Sequence, residues 1–169
     1  MGRLLDDLQT LSTAQAGALR LEREPTDLGA VASEVAAAFG PRAAAGGVSL
    51  ATTAADALPA VNADAVRIRQ VLENLVANAL RHTPAGGAVA IALTCDGEAL
   101  EIAVTDTGSG IPAEQLATVF DRYARSADSG GSGLGLAIAR SLVEAHGGTI
   151  RAEAAAGGGT AIRLRLPLD

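Results

Sequence analysis

Two apolar runs, Val89 to Thr94 and Leu100 to Thr105, flank the polar turn Asp96-Gly97-Glu98. No other feature of the chain constrains its fold as tightly. Apolar or alternating runs on either side of an Asp-Gly turn read as a β-hairpin, whose strands pair antiparallel. A sheet follows, and one face of it needs cover. The rest of the chain supplies segments of helical period for that purpose.

Asp64 is a candidate N-cap for a helix from about Ala65 to His82, with Ile68, Val71, Leu72, Leu75 and Ala79 as its core face. Asp27 stands in the same relation to a helix from Leu28 to Ala45, which Gly46-Gly47 stops. A third helix, from about Leu134 to Ala145, carries Leu136, Ile138, Ala139, Leu142 and Val143, and His146-Gly147-Gly148 closes it. Short strands are predicted at Val48 to Thr53, Leu58 to Asn62, Thr149 to Ala154 and Thr160 to Leu166. Pro59 argues that the second of these lies at an edge. Pro112 fits the first turn of a short helix reaching about Leu116. The sum is an α+β two-layer sandwich: a mixed, mainly antiparallel sheet with helices on one face.

The first residues form a separate problem. From Met1 to about Glu22, Leu4, Leu5, Leu8, Leu11, Ala14, Ala18 and Leu21 make one apolar stripe on a predicted helix, and Pro25 ends the region. Either the stripe packs on its own domain, or it closes a helical bundle whose other members are elsewhere. The second is the expectation, with residues 1–24 as an appendage and 25–169 as the main domain.

A chain of 169 residues suits one domain of that size. Aromatic residues are 2% of it, so the core must be built from Ala, Val, Leu and Ile. A net charge of −6 argues against a nucleic-acid partner. The single cysteine, Cys95, excludes an internal disulfide and a multi-cysteine metal site. No run reaches the length of a membrane span and no signal peptide is visible. The expected location is the cytoplasm, including the intracellular part of a membrane-bound sensor.

Three stretches carry candidate chemistry, although on its own Asp106 also reads as a turn carboxylate bonding its own backbone, and Gly130 to Gly135 as a flexible connector into a helix. Asn74, Asn78 and Arg81 fall at i, i+4 and i+7, on one line beside the core face of their helix. Asp106 ends the second hairpin strand and runs into Thr107-Gly108-Ser109-Gly110-Ile111, where a carboxylate can accept from an exocyclic amine. Gly130-Gly131-Ser132-Gly133-Leu134-Gly135-Leu136 opens a helix, where free backbone N–H groups form an anion site. The stretch lacks the Gly-Lys-Ser/Thr of a Walker A loop and the surroundings of a dinucleotide fingerprint.

In this order and spacing the three stretches resemble the N, G1 and G2 boxes of the ATP-binding domain of sensor histidine kinases. That family sits in a larger group with type II topoisomerase, Hsp90 and MutL ATPase domains. Phe120-Asp121-Arg122-Tyr123 resembles its F box, and residues 1–24 resemble the close of the second helix of a dimerisation and phosphoacceptor domain. The resemblance implies the Bergerat-type ATP-binding sandwich. It implies ATP with Mg²⁺, with Asn78 as the metal ligand and Asp106 reading the adenine amino group. It places Asn74, His82, Gly108, Gly110, Ile111, Gly131, Gly133, Leu134, Gly135, Leu136 and Thr160 around the nucleotide. Arg81 becomes a phosphate contact, and Arg122 and Arg125 become candidates to stabilise charge on the γ-phosphate.

Asn74 stands where the ATP-hydrolysing relatives carry a general-base Glu, so the resemblance implies phosphoryl transfer to another nucleophile. The expected acceptor is a His on a partner, because neither His82 nor His146 has the context of a phosphoacceptor. The chain then reads as a catalytic domain cut from a longer kinase or as half of a split one, with a response regulator downstream. On its own it is expected to be monomeric or weakly associated. Two rival readings remain open at this point: an anti-sigma-type serine kinase, and a nucleotide-binding interaction module without transfer activity.

Overall fold

A computed structural model describes residues 2–124 and 132–168. The hairpin is present as β4 (Ala88–Cys95) and β5 (Ala99–Asp106), in antiparallel register from Val89 opposite Asp106 to Cys95 opposite Leu100. It forms the middle of a five-stranded sheet. β2 (Ser49–Ala54) joins β4 in parallel, β7 (Thr160–Pro167) joins β5 antiparallel, and β6 (Thr149–Ala154) closes the far edge against β7. The order is β2-β4-β5-β7-β6, a mixed sheet with a single parallel pair.

Three helices cover the sheet: α2 (Leu28–Ala45) against β2, α3 (Ala65–His82) against β4 and β5, and α4 (Gly135–Ala145) against β6 and β7. Strand alternation decides which residues they meet. Val89, Ile91 and Leu93 of β4 are buried, as are Ile162, Leu164 and Leu166 of β7. Ile68, Val71, Leu72, Leu75 and Val76 of α3 fill the middle of the core from the other side. Aliphatic side chains thus make almost the whole core, with Phe120 the one aromatic among the buried hydrophobic residues. The opposite sheet face is solvated; there Arg163 bridges Glu101 and Glu153, surface pairs that contribute little to stability.

The predicted elements need four corrections. The first helix, α1, spans Gly2–Gln15 and stops at a turn through Gly17 (φ +67), well short of Glu22. Pro25 does not merely break a helix: Glu24–Thr26 is a strand, β1, paired with β3 (Val61–Ala63) in a separate two-stranded sheet. The strand expected at Leu58 to Asn62 therefore starts after Pro59, where the backbone N–H groups needed for pairing resume. Finally, Pro112 precedes a single 3₁₀ turn, Ala113–Gln115, in place of a longer helix. The stripe on α1 is only partly covered. Leu11 is buried against the domain and Leu8 packs beside it, while Leu4 and Leu5 are 48% and 67% exposed.

One buried polar junction locks the helices at their ends. The Asp64 side chain caps α3 by accepting from Arg67 N at 3.1 Å, and it also accepts from Glu22 N at 3.0 Å. The Asp64 backbone N–H donates to His146 Nε2 at 3.1 Å, and His146 Nδ1 faces Leu142 O at 2.7 Å. That pairing requires the neutral Nδ1–H tautomer. Arg23 donates to Ala145 O at 2.7 Å beside it, at the C-terminus of α4 where a cation is favourable.

Burial, opposed by the Leu142 carbonyl, and the charge of Arg23, opposed by Asp64, leave the His146 imidazole below its ordinary 6.5. The unfolded chain then takes up a proton that the folded chain refuses. Stability from this group is present above the unfolded value and lost as pH falls toward the folded one. In urea unfolding, the wild type is expected to lose stability as pH falls below 6.5. His146→Gln should be weaker at pH 7.5 by about 1–3 kcal/mol and lose that slope. An unchanged slope in the variant would contradict the assignment.

Candidate functional site

Between α3, the end of β5 and the start of α4 lies a cavity of about 670 Å³. Each wall has its own origin in the sequence. Asn74, Ala77, Asn78 and Arg81 of α3 face it because they share one helical line, and His82 follows at the helix end. Core residues Leu72, Leu75, Val76 and Ala79 turn the other way and are buried. One helix therefore serves packing on one side and polar chemistry on the other.

Asp106 lines a second wall at only 5% exposure. Its Oδ1 accepts from Gly108 N at 2.9 Å and from Thr160 N at 3.3 Å, so the carboxylate ties the loop after β5 to the first residue of β7. Its Oδ2 has no protein partner among the described residues and is available to a ligand donor. Two glycines make this crossing possible. A Cβ on Gly108 would stand 2.2 Å from His82 O, and one on Gly159 (φ +89) would stand 2.0 Å from Asp106 O. Gly108 thus acts by close packing under the cavity and does not line it.

The third wall is the start of α4. Both α2 and α3 carry Asp N-caps that accept a backbone N–H, but Leu134 gives α4 no side-chain cap. The first intrahelical bond is Ile138 N to Leu134 O at 2.9 Å. The N–H groups of Gly135, Leu136 and Ala137 are left without helical partners, and Gly133, Gly135 and Leu136 line the cavity. Such an end attracts anions. Asn74 stands across from it, a Cβ on Gly135 falling 3.7 Å from Asn74 Cγ, and Asn74 Nδ2 is buried with no hydrogen-bond partner among the described residues. A buried amide donor left unpaired costs about 1–3 kcal/mol.

Most of the residues picked out in sequence therefore meet here: Asn74, Asn78, Arg81, His82, Asp106, Gly110, Ile111, Gly133, Gly135, Leu136 and Thr160 all line the cavity. Leu134 does not; it is fully buried in the core under the helix start. Arg122 does not either. It is exposed, and its guanidinium donates to Gln15 Oε1 of α1. The segment around it is joined to the glycine loop by Tyr123 N to Gly133 O at 2.9 Å, with Tyr123 held at φ 59. Gly131 and Arg125 lie outside the described residues.

Several lining residues carried no sequence signal. Arg3, Leu4 and Asp7 come from α1, which packs on α4, and Arg42 comes from α2. Burial pushes the Asp7 carboxyl up, against the opposing charge of Arg3. Ala77 was findable, since it sits at i+3 from Asn74. No group of three or more His, Cys, Asp and Glu side chains able to hold a metal exists among the described residues.

A sheet covered by helices, with a buried carboxylate, a two-amide helix line and an uncapped helix N-terminus around one cavity, defines a nucleotide-binding domain of the ATPase type. The family described as histidine kinase-, DNA gyrase B- and HSP90-like ATPase matches residues 63–169, and the chain belongs to it. Within that family its similarity runs to sensor kinases. It is 36% identical over 172 residues to the signal transduction histidine-protein kinase BaeS of Escherichia coli K12, covering 99% of this chain and 37% of BaeS. The full-length ShkA structure in complex with AMPPNP superposes with a TM-score of 0.88 at 31% identity, over 98% of this chain and 35% of ShkA. Histidine kinase ThkA in complex with response regulator protein TrrA superposes at 0.79 and 25% identity, over 99% of this chain and 49% of that one. The chain thus spans about a third of BaeS and of ShkA.

The crossing at Asp106 yields a direct test. Gly108→Ala forces the loop off the end of α3 and displaces Asp106. It is expected to lower the melting temperature and to weaken ATP binding at least tenfold, a change of about 1.4 kcal/mol. Wild-type melting and affinity in the variant would contradict the role given to this contact.

Proposed function

We propose that the chain is the catalytic domain of a two-component sensor histidine kinase. It transfers the γ-phosphoryl group of ATP to a His on a dimerisation and phosphoacceptor domain, and a response regulator takes the group from there. The observation that carries the reading is the opposition, across one cavity, of the buried Asn74 amide and the uncapped start of α4, with Asp106 on a neighbouring wall.

The residues present fit ATP and Mg²⁺. Asp106 Oδ2 accepts an amine hydrogen, which favours adenine over guanine, whose ring presents a carbonyl there. The free N–H groups of α4, Asn74 Nδ2 and Arg81 are donors suited to phosphate oxygens. Asn78 supplies a neutral amide oxygen, a ligand suited to a hard cation that takes its other ligands from phosphate and water. When bound, the cation screens charge on the phosphates.

Hydrolysis lacks a base on α3. Asn74 cannot take a proton, and Glu73 does not line the cavity. Nor does the chain hold a fitting acceptor: His146 is 3% exposed with both ring nitrogens engaged, and His82 is part of the nucleotide wall. Both facts support transfer to a partner. No described helix is long and apolar enough to cross a membrane. We assign α1 to the close of the dimerisation-domain helix, and its exposed Leu4 and Leu5 support that assignment.

The test is a transfer assay with γ-labelled ATP and Mg²⁺, comparing this chain alone with the chain plus a dimerisation domain. Acid-labile label on the partner only is the expected result. Asn78→Ala should lower the transfer rate about a hundredfold or more. Asp106→Asn should raise the ATP concentration needed about tenfold or more, by loss of a hydrogen bond to a charged acceptor. ATP binding with no labelled partner would support a binding module instead, and acid-stable label a serine kinase.

A further inference from the structure

Outside the four boxes, α2 brings a charged side chain to the cavity. Of the 13 arginines, those on the sheet face and the helix flanks have partners: Arg69 pairs with Glu34, Arg140 with Glu144, Arg163 with Glu101 and Glu153, and Arg165 with Asp96. Three others line the cavity: Arg3, Arg42 and Arg81. Arg3 acts on the carboxyl of Asp7. Arg42 and Arg81 have neither a carboxylate nor a hydrogen-bond partner among the described residues. The carboxylates on the same cavity are engaged by other groups, Asp7 by the charge of Arg3 and Asp106 by the Gly108 and Thr160 amides, so two guanidiniums with no ion pair of their own point to an anion as the missing partner.

The placement of Arg42 follows from the pairing of α2 with α3. Glu34 and Arg69 join the two helices by an ion pair. Eight residues further along each helix, about 12 Å at 1.5 Å per residue, come Arg42 and Ala77, and both line the cavity. Arg81 follows one helical turn after Ala77. Arg42 is an exposed side chain, and its guanidinium carbon lies 5.9 Å from the ring centroid of Phe39, which itself packs on the core. A cation over an aromatic face is favoured and loses freedom. Pro41, inside α2, removes the N–H that Ala37 O would accept and marks the last turn as a distinct unit.

We propose that Arg42 is a phosphate-contacting residue of the nucleotide site. With Arg81 it engages the terminal phosphate, so that the site discriminates a nucleoside triphosphate from a diphosphate. The assignment rests on the nucleotide reading above and extends it to a helix that none of the recognised boxes includes. A competing role exists for the same side chain, since a cation in the last turn of a helix also offsets the helix dipole. That role is structural and is indifferent to which nucleotide binds.

Calorimetric titration of the chain with ATP, ADP and adenosine, each with Mg²⁺, separates the cases. Arg42→Gln is expected to raise the Kd of ATP about tenfold, the loss of one charged hydrogen-bond partner. The Kd of ADP should change by less than about threefold and that of adenosine not at all. Arg42→Lys should recover part of the ATP affinity, because it keeps the charge but not the fork. An unchanged Kd for ATP in Arg42→Gln, or an equal change for all three ligands, overturns the proposal while leaving the nucleotide site in place. A wild-type chain that binds none of the three overturns the nucleotide reading and this assignment with it.

Discussion

The cavity depends on one carboxylate. Asp106 ends the central strand, and its Oδ1 holds both the Gly108 and Thr160 amides. Because β5 and β7 are neighbours in register, from Ala99 opposite Pro167 to Thr105 opposite Ala161, that carboxylate fastens two central strands and the loop that leaves them. The loop then passes so close to His82 O, and Gly159 so close to Asp106 O, that no side chain fits at either glycine. Sheet, α3 and site wall thus meet at one point. The second carboxylate oxygen takes no part in this junction.

A second economy lies in the helices. Capping is the ordinary way to satisfy a helix N-terminus, and α2 and α3 follow it with Asp27 and Asp64. α4 omits it at the one end that borders the cavity. Likewise the Asn74 amide is buried without a partner where α3 faces that end. Unsatisfied donors are a local cost, and under the proposed function both lie where an anionic ligand would offset it.

What could be read from the sequence follows the range of the forces involved. Helices α2, α3 and α4 were legible because caps, periods and glycine stops are local. The hairpin was legible because its turn and alternation are local too. The line of Asn74, Asn78 and Arg81 needed only helical geometry, and the family resemblance supplied the partner walls. The failures are all non-local. Nothing in Glu24-Pro25-Thr26 announces a strand, since its partner Val61–Ala63 is far away in sequence. α1 ends at Gln15 because the chain then runs across the domain, where Asp64 holds Glu22 and the end of α4 holds Arg23. The contact of Arg122 with Gln15 of α1 is non-local in the same way. Arg42 was invisible for the same reason, as its approach to the cavity exists only once α2 lies against α3.

The central claim is that adenine and phosphates divide between Asp106 and the start of α4. An amide NMR titration of the chain with AMPPNP and Mg²⁺ tests it most directly. The account predicts large shifts at the backbone amides of Gly135, Leu136 and Ala137, at the Asn74 side-chain amide and at Gly108, whose N–H rests on Asp106. Shifts confined to other surfaces, with the start of α4 and Asn74 unmoved at saturation, would contradict it.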